Sequence, residues 1–239
     1  MTVLTAAIKD QLKDVSVATI TTALFKRGLK NQLIQDVHLI GAQSQRMIGP
    51  AYTLRYMPAR EDLNQLEVFR NREHPQRKAV EECPAGAVLV VDSRKDARAA
   101  SGGSILVTRL QVRGVAGIVT DGGFRDSPEI ATLTIPAYHH RASPPTNLTL
   151  HQAIDINVPI GCGDAPVFPG DIIFGDEEGV VVIPAHLLEE VAHEAFEMTA
   201  FEDFVTEKVK EGRTILGLYP ATDPKTLVEF DAWRKAHKR

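Results

Sequence analysis

Residues 101–129 read SGGSILVTRLQVRGVAGIVTDGGFRDSPE. A glycine pair, Gly102-Gly103, opens a segment with a helical pattern from about Ser104 to Arg113. An apolar run, GVAGIVTD, follows, and a second glycine pair leads into Arg125-Asp126. Just upstream, GAVLVVD (86–92) is a short continuous apolar run, as in a strand covered on both faces. Downstream, a short helix over 127–132 leads to the strand-like TIPAY. Strand, helix, strand, helix, strand predicts an α/β fold with parallel pairing and right-handed crossovers. In such sheets ligands collect outside the carboxyl ends of the strands. Both glycine loops follow strands, so both are expected on that edge.

The chemistry of the two loops is complementary. Glycines at a helix start leave backbone N–H groups free at its positive end, which suits an anion. Arg125 offers a planar fork for a carboxylate. Asp126 offers a hard oxygen to a divalent metal, and Mg²⁺ needs few protein ligands because it keeps several waters. Glu129, one helical turn on, is placed to orient Arg125 or add charge. Asp92, Asp96 and Arg98 follow GAVLVVD on the same edge, and of these Asp96 is the one expected to face the site.

The chain has 239 residues, 44% hydrophobic and 24% charged, with net charge −4. That is ordinary for a globular protein, and with no basic block no nucleic-acid surface is indicated. The first residues, MTVLTAAIKDQLKDVS, carry acids and lysines where a signal peptide needs an apolar core. No apolar run approaches the ~20 residues of a membrane span, so no membrane partner is expected. Two cysteines, Cys83 and Cys162, are too few for a disulfide framework and read as reduced thiols. The expectation is a cytoplasmic protein of one domain over 1–239, with a core at about 15–212 and a C-terminal arm from 213.

Elsewhere, residues 3–27 read as two helices, the second capped by Ser16 and stopped by Gly28. Gly49-Pro50 reads as a turn before the alternating strand AYTLRYM. Arg60 to Glu82 reads as a solvated helix and loop, broken by Pro75. His139 to Asn157 reads as loop-rich. DIIFGD and GVVVIP form a hairpin through 176–179, and Pro184 opens a long helix to about Glu211. Its apolar stripe is Leu188, Val191, Ala195, Met198, Phe201, Val205 and Val209. Glu202 flanks that stripe, from which a carboxylate can reach a neighbouring subunit. The tail, ending DAWRKAHKR, reads as a packed or subunit-bridging arm.

Several chemistries find no pattern. There is no dinucleotide GxGxxG, Walker loop, HExxH or GxSxG elbow. His186 and His193 oppose the apolar stripe and read as solvated, His139-His140 follows a strand that could bring it to the cleft, and Cys162 reads as structural.

GAVLVVD, GGSIL, GIVTDGGFRDSPE, IPAY and NVPIG…VFPGDIIFGDEEGVVVIP together resemble the signature of one superfamily. It comprises the 4-hydroxy-4-methyl-2-oxoglutarate / 4-carboxy-4-hydroxy-2-oxoadipate aldolases and the regulator of ribonuclease activity A. The most specific parts are RDxxE (Arg125, Asp126, Glu129) and PGDxxxxDxxGVVxxP from Pro169 to Pro184. The resemblance implies a swivelling β/β/α fold with a long C-terminal helix, in trimeric rings or stacked hexamers with the active cleft between subunits. It implies that Arg125 binds the carboxylate and oxygen of pyruvate, and that backbone N–H groups of Gly103, Ser104, Ile105 and Leu106 assist. It further implies that Asp126 holds Mg²⁺ or Mn²⁺, partly through water, with a carboxylate from the C-terminal helix of a neighbouring subunit completing the metal shell; Glu202 matches best, and spacing also admits Asp203. One departure stands out: many of these aldolases carry an acidic residue just after the loop glycine, and here that position is Ser104.

The expected activity is cleavage of a 4-hydroxy-2-oxo acid to pyruvate and a second carbonyl product, or decarboxylation of an oxaloacetate-like acid. The alternative is a non-catalytic ring that docks on a ribonuclease or helicase. A menaquinone methyltransferase, a name also attached to such sequences, finds no nucleotide-binding glycine layout here.

Overall fold

The computed structural model describes residues 4–42 and 46–237; the sequence expectations for Val3 and for the last two residues of the arm lie outside that range. The amino-terminal part forms α1 (Ala6–Leu12), α2 (Val17–Lys26), β1 (Leu33–Ile34), β2 (His38–Leu39) and the long β3 (Met47–Pro58). After a 3₁₀ turn come α3 (Pro75–Glu82), β4 (Val88–Asp92), β5 (Ala100–Gly102), α4 (Ser104–Val112), β6 (Gly117–Thr120) and β7 (Gly123–Phe124). Then follow α5 (Ser127–Ile130), β8 (Ala137–His139), β9 (Arg141–Ala142), β10 (His151–Ile156), β11 (Ile160–Cys162) and β12 (Ala165–Val167). The chain closes with β13 (Ile172–Asp176), β14 (Gly179–Ile183), α6 (Leu188–Lys210) and α7 (Pro224–His237).

The main sheet runs β1-β14-β13-β3-β4-β6-β8-β2, with β10 also on β3. β3 to β4, β4 to β6 and β6 to β8 pair in parallel, as the alternation of apolar runs and helices requires. β3 changes partner along its length: residues 47–50 pair with β13, residues 51–55 with β4 and residues 54–58 with β10. Gly49-Pro50 therefore lies inside a strand and is not a turn. Proline has no N–H for a ladder, and Pro50 sits where pairing passes from β13 to β4. A Cβ on Gly49 would meet the Gly86 carbonyl oxygen at 2.3 Å, so the close approach demands glycine. β10 likewise replaces the loop expected over 139–157.

Apolar faces bury in three places. α3 and α4 cover β4 and β6 through Val80, Leu110, Leu89 and Ile118. α1, α2 and α6 cover β13 and β14 through Leu12, Ile20, Val191 and Phe174. The hairpin of β11 and β12 packs Cys162 and Val167 against Val90 and Val119. Ser16 caps α2 by accepting from the Thr19 N–H at 3.1 Å, and Gly28 beyond it has φ +80°. Pro75 is the first residue of α3 and breaks nothing, because the N–H it lacks would be unpaired there anyway.

Along α6 the buried stripe is Leu188, Val191, Ala192, Ala195, Ala200, Phe204 and Val205. Val209, expected inside, is 40% exposed, while Phe204 is buried because α7 covers that side with Phe230 and Trp233. The arm thus packs on its own chain. No helix among the described residues is long and apolar enough to cross a membrane.

Candidate functional site

Beside the main sheet, β5, β7 and β9 form a small parallel sheet of their own. β5 ends at Gly102 and β7 ends at Phe124, so the two glycine loops leave adjacent strands. The Arg125 N–H donates to the Gly102 carbonyl at 3.1 Å, locking one loop to the other. Beneath them lies a buried hydroxyl cluster. Ser101 Oγ is 2.6 Å from Thr120 Oγ1 and 2.7 Å from Ser93 Oγ, and Thr120 Oγ1 accepts the Gly122 N–H at 3.0 Å. The three hydroxyls lie within hydrogen-bond distance of one another, and each can both donate and accept.

Gly103 is the extended N-cap of α4, and no side chain of its own can cap the helix. Asp126 does so from the other loop: its Oδ2 accepts the Ser104 N–H at 3.3 Å and the Ser104 hydroxyl at 3.4 Å. Asp126 is held left-handed at φ 59°, which an aspartate tolerates. Its Oδ1 receives Arg125 Nε at 3.5 Å, an exposed contact of little energy. A Cβ on Gly103 would lie 2.7 Å from Asp126 Oδ2 and 2.8 Å from Arg125 Cγ. Gly103, Ser104, Arg125 and Asp126 are thus brought together as the sequence predicts. Ser104 bonds the carboxylate and orients it.

Gly103, Arg125 and Asp126 open onto a cleft of about 420 Å³, which Ile105 and Leu106 also line and Ser104 does not. Its far wall escaped the sequence reading: Leu66 and Phe69 of the 3₁₀ turn, Gln76 and Arg77 of α3, and Thr146 and Asn147 before β10. The charged stretch from Arg60 to Glu82 reads as solvated, and taking Pro75 for a breaker hid the helix that carries Gln76 and Arg77. Pro75 as a helix start would have aimed that first turn at a neighbour.

Other candidates lie elsewhere. Asp96 does not line the cleft; it accepts from Arg98 Nε at 2.9 Å and Nη2 at 2.7 Å, and that pairing holds its carboxyl down at about 2. Glu129 is exposed, and its side chain makes no hydrogen bond or ion pair among the described residues. His139 sits below the cleft, stacked on Phe124 with ring centroids 6.0 Å apart, and neither it nor His140 lines the opening. Cys162 is buried, its thiol pushed up chiefly by burial, and it is structural. Within the chain the Glu202 carboxylate accepts from Thr19 Oγ1 at 3.3 Å and Tyr219 Oη at 3.2 Å, away from the cleft.

No group of three or more His, Cys, Asp or Glu side chains converges among the described residues. One chain therefore offers a cation the carboxylate of Asp126. That donor set is compatible with Mg²⁺ retaining waters, and it excludes a tetrahedral zinc cage.

A helix opened by glycine beside an Arg-Asp pair, at the end of parallel strands, marks this as an α/β protein whose two loops meet at one sheet edge. The chain belongs to the RraA-like family, described as Aldolase/RraA, whose sequence model matches residues 5–182. A Halalkalibacterium halodurans protein named "Putative 4-hydroxy-4-methyl-2-oxoglutarate aldolase" is 32% identical over 157 residues, covering 64% of this chain and 67% of that protein. DlpA of Legionella pneumophila is 25% identical over 205 residues, 86% of this chain but 32% of its own length. The crystal structure of Streptomyces coelicolor RraAS2, described as an unusual member of the RNase ES inhibitor RraA protein family, matches with TM-score 0.72 at 28% identity. That match covers 84% of this chain and 96% of the Streptomyces one.

Proposed function

We propose that this protein is a divalent-metal-dependent lyase that cleaves a 4-hydroxy-2-oxo acid to pyruvate and a second carbonyl compound. The observation that carries the reading is the joining of the two loops. The Arg125 N–H bonds the Gly102 carbonyl, while Asp126 bonds the first residue of α4. A guanidinium, a helix start and a hard oxygen ligand thereby face one cleft. Asp126 would hold Mg²⁺ or Mn²⁺, largely through water, with Glu202 of a neighbouring subunit as the second carboxylate. The metal would supply Lewis-acid polarisation of the 2-oxo group.

This chain's own residues would do the rest. Arg125 clamps the carboxylate of the 2-oxo acid, and the N–H groups at the start of α4 (Gly103 to Leu106) face the same end. In the retro-aldol step the 4-hydroxyl loses its proton and the C3–C4 bond breaks. The electron pair moves into the enolate of pyruvate, C4 becomes the carbonyl of the departing half, and C3 then takes a proton. Arg125 and the helix start favour the step because negative charge grows at the enolate oxygen next to them. Ser104 supports Asp126 through both its N–H and its hydroxyl. Decarboxylation of an oxaloacetate-like acid passes through the same enolate, so the site would serve it too.

The test is pyruvate release, followed with lactate dehydrogenase, from oxaloacetate and a panel of 4-hydroxy-2-oxo acids with Mg²⁺ and then EDTA. Arg125→Ala and Asp126→Ala are each expected to lower kcat/KM about a thousandfold. Near-wild-type turnover in both variants rejects the site. Absence of EDTA-sensitive pyruvate from every acid would favour the regulator reading, to which the Streptomyces relative's description gives weight.

A further inference from the structure

We propose that Arg77, with Asn147 and Gln76, forms a second anion-binding subsite in this cleft, reading a carboxylate on the half of the substrate remote from the pyruvyl end. The inference rests on the assignment of the 2-oxo acid head to Arg125 and the start of α4. Arg77 lines the same cleft as Arg125, and its guanidinium lies over the Phe69 ring, 4.3 Å from the centroid. Among the described residues it has no carboxylate partner. Burial lowers its pKa, and the Tyr56 phenol that opposes this is itself kept neutral by burial. His74 beside it is also held neutral, first by burial and then by Arg77 itself. A half-buried guanidinium with no counter-charge is costly unless something brings one. Every other charge lining the cleft belongs to Arg125 or Asp126.

Two buried polar atoms on residues that line the same cleft as Arg77 point the same way. Gln76 is 2% exposed; its Nε2 donates to the Ser101 carbonyl at 2.8 Å and to Tyr56 Oη at 3.0 Å. Tyr56 Oη donates to that same carbonyl at 2.8 Å, so the amide cannot be turned round without setting two oxygens against each other. Gln76 Oε1 is thereby left buried without a partner, as is Nδ2 of Asn147, a residue 5% exposed whose Oδ1 accepts from Thr146. Orphaned buried polar groups are rare, and each is costly unless a ligand satisfies it. The set is one acceptor, one donor and one cation lining a single cleft. Asn147 Nδ2 and Arg77 suit a carboxylate, and Gln76 Oε1 suits a hydroxyl next to it. Packing against Phe69 alone would account for the stack and would leave both amide atoms unexplained.

The experiment is titration calorimetry of the full chain with Mg²⁺, using 2-oxoglutarate and 2-oxopentanoate. These share a 2-oxo acid head and a five-carbon length and differ in the distal carboxylate. The wild type is expected to bind the diacid at least tenfold more tightly, and Arg77→Gln to bring that ratio near one. Arg77→Lys, which keeps the charge and stem but loses the planar fork, is expected to cut the ratio at least threefold. Equal wild-type affinities, or a ratio unmoved in both variants, overturn the subsite and leave the 2-oxo acid reading intact. Failure of both acids to bind the wild type overturns both readings.

Discussion

Gly103 has an extended backbone, φ −141° and ψ −178°, that any residue can adopt, so its glycine is a matter of space. The atoms it must clear are Asp126 Oδ2 and Arg125 Cγ, the two side chains on which the proposed chemistry depends. Gly103→Ala is expected to lower pyruvate release at least a hundredfold by pushing that pair apart. The stability loss should be modest, about 1–3 kcal/mol as for other overpacked sites. Urea unfolding and the coupled assay together check it; full activity would show the pair to be unconstrained. Single residues were the most legible level of this site, since a glycine pair before a helix and an Arg-Asp pair, each ordinary alone, both follow strands that end on one sheet edge. Ser104 was legible as a departure and not as a contact, because its hydroxyl meets Asp126 only once β5 and β7 lie side by side.

At the scale of elements, the apolar runs announced the parallel strands, since a strand covered on both faces must be apolar throughout. The cleft's far wall was hidden because α3 is mostly polar and buries only Gln76, Ala79 and Val80. The aspartates of PGDxxxxD also changed meaning. Asp171 accepts the Phe168 and Ala185 N–H groups at 3.0 and 3.1 Å, and Asp176 accepts the Val17 N–H at 2.8 Å, so they secure turns and the start of α2. β8 carries a pH-dependent element. His139, paired in register with His38, has a buried Nδ1 without a partner, and burial, then His38 and His140, push its pKa down to about 4. The unfolded chain binds that proton near pH 6.5 and the folded chain does not. The folded state therefore loses stability as pH falls from about 6.5 to 4, by at most about 3 kcal/mol at roughly 1.4 kcal/mol per pKa unit. His139→Phe, which keeps a ring on Phe124, is expected to flatten this limb in urea titrations at pH 7 and 4.5. An unchanged acid limb would assign the loss to other groups.

For the whole molecule, the proposed metal site has one carboxylate within a single chain. Asp126 is the carboxylate of the cleft, and Glu202 sits apart on α6, bonded to Thr19 and Tyr219. If Glu202 serves only its own chain, Glu202→Gln weakens the contacts among α2, α6 and the arm and leaves metal-dependent turnover in place. If it reaches the cleft of a neighbour in a ring, the same substitution removes activity with little change in unfolding. Subunit mixing separates the two. Asp126→Asn and Glu202→Gln are each expected to be inactive alone. Rings reassembled from equal amounts contain interfaces where an intact Asp126 of one subunit meets an intact Glu202 of the next. In a trimer the six mixed arrangements out of eight each hold one such interface among three, so about a quarter of wild-type activity should return, by binomial counting over independent positions. An active Glu202→Gln protein, with a mixture no more active than that parent, would confine each site to one chain and remove Glu202 from it.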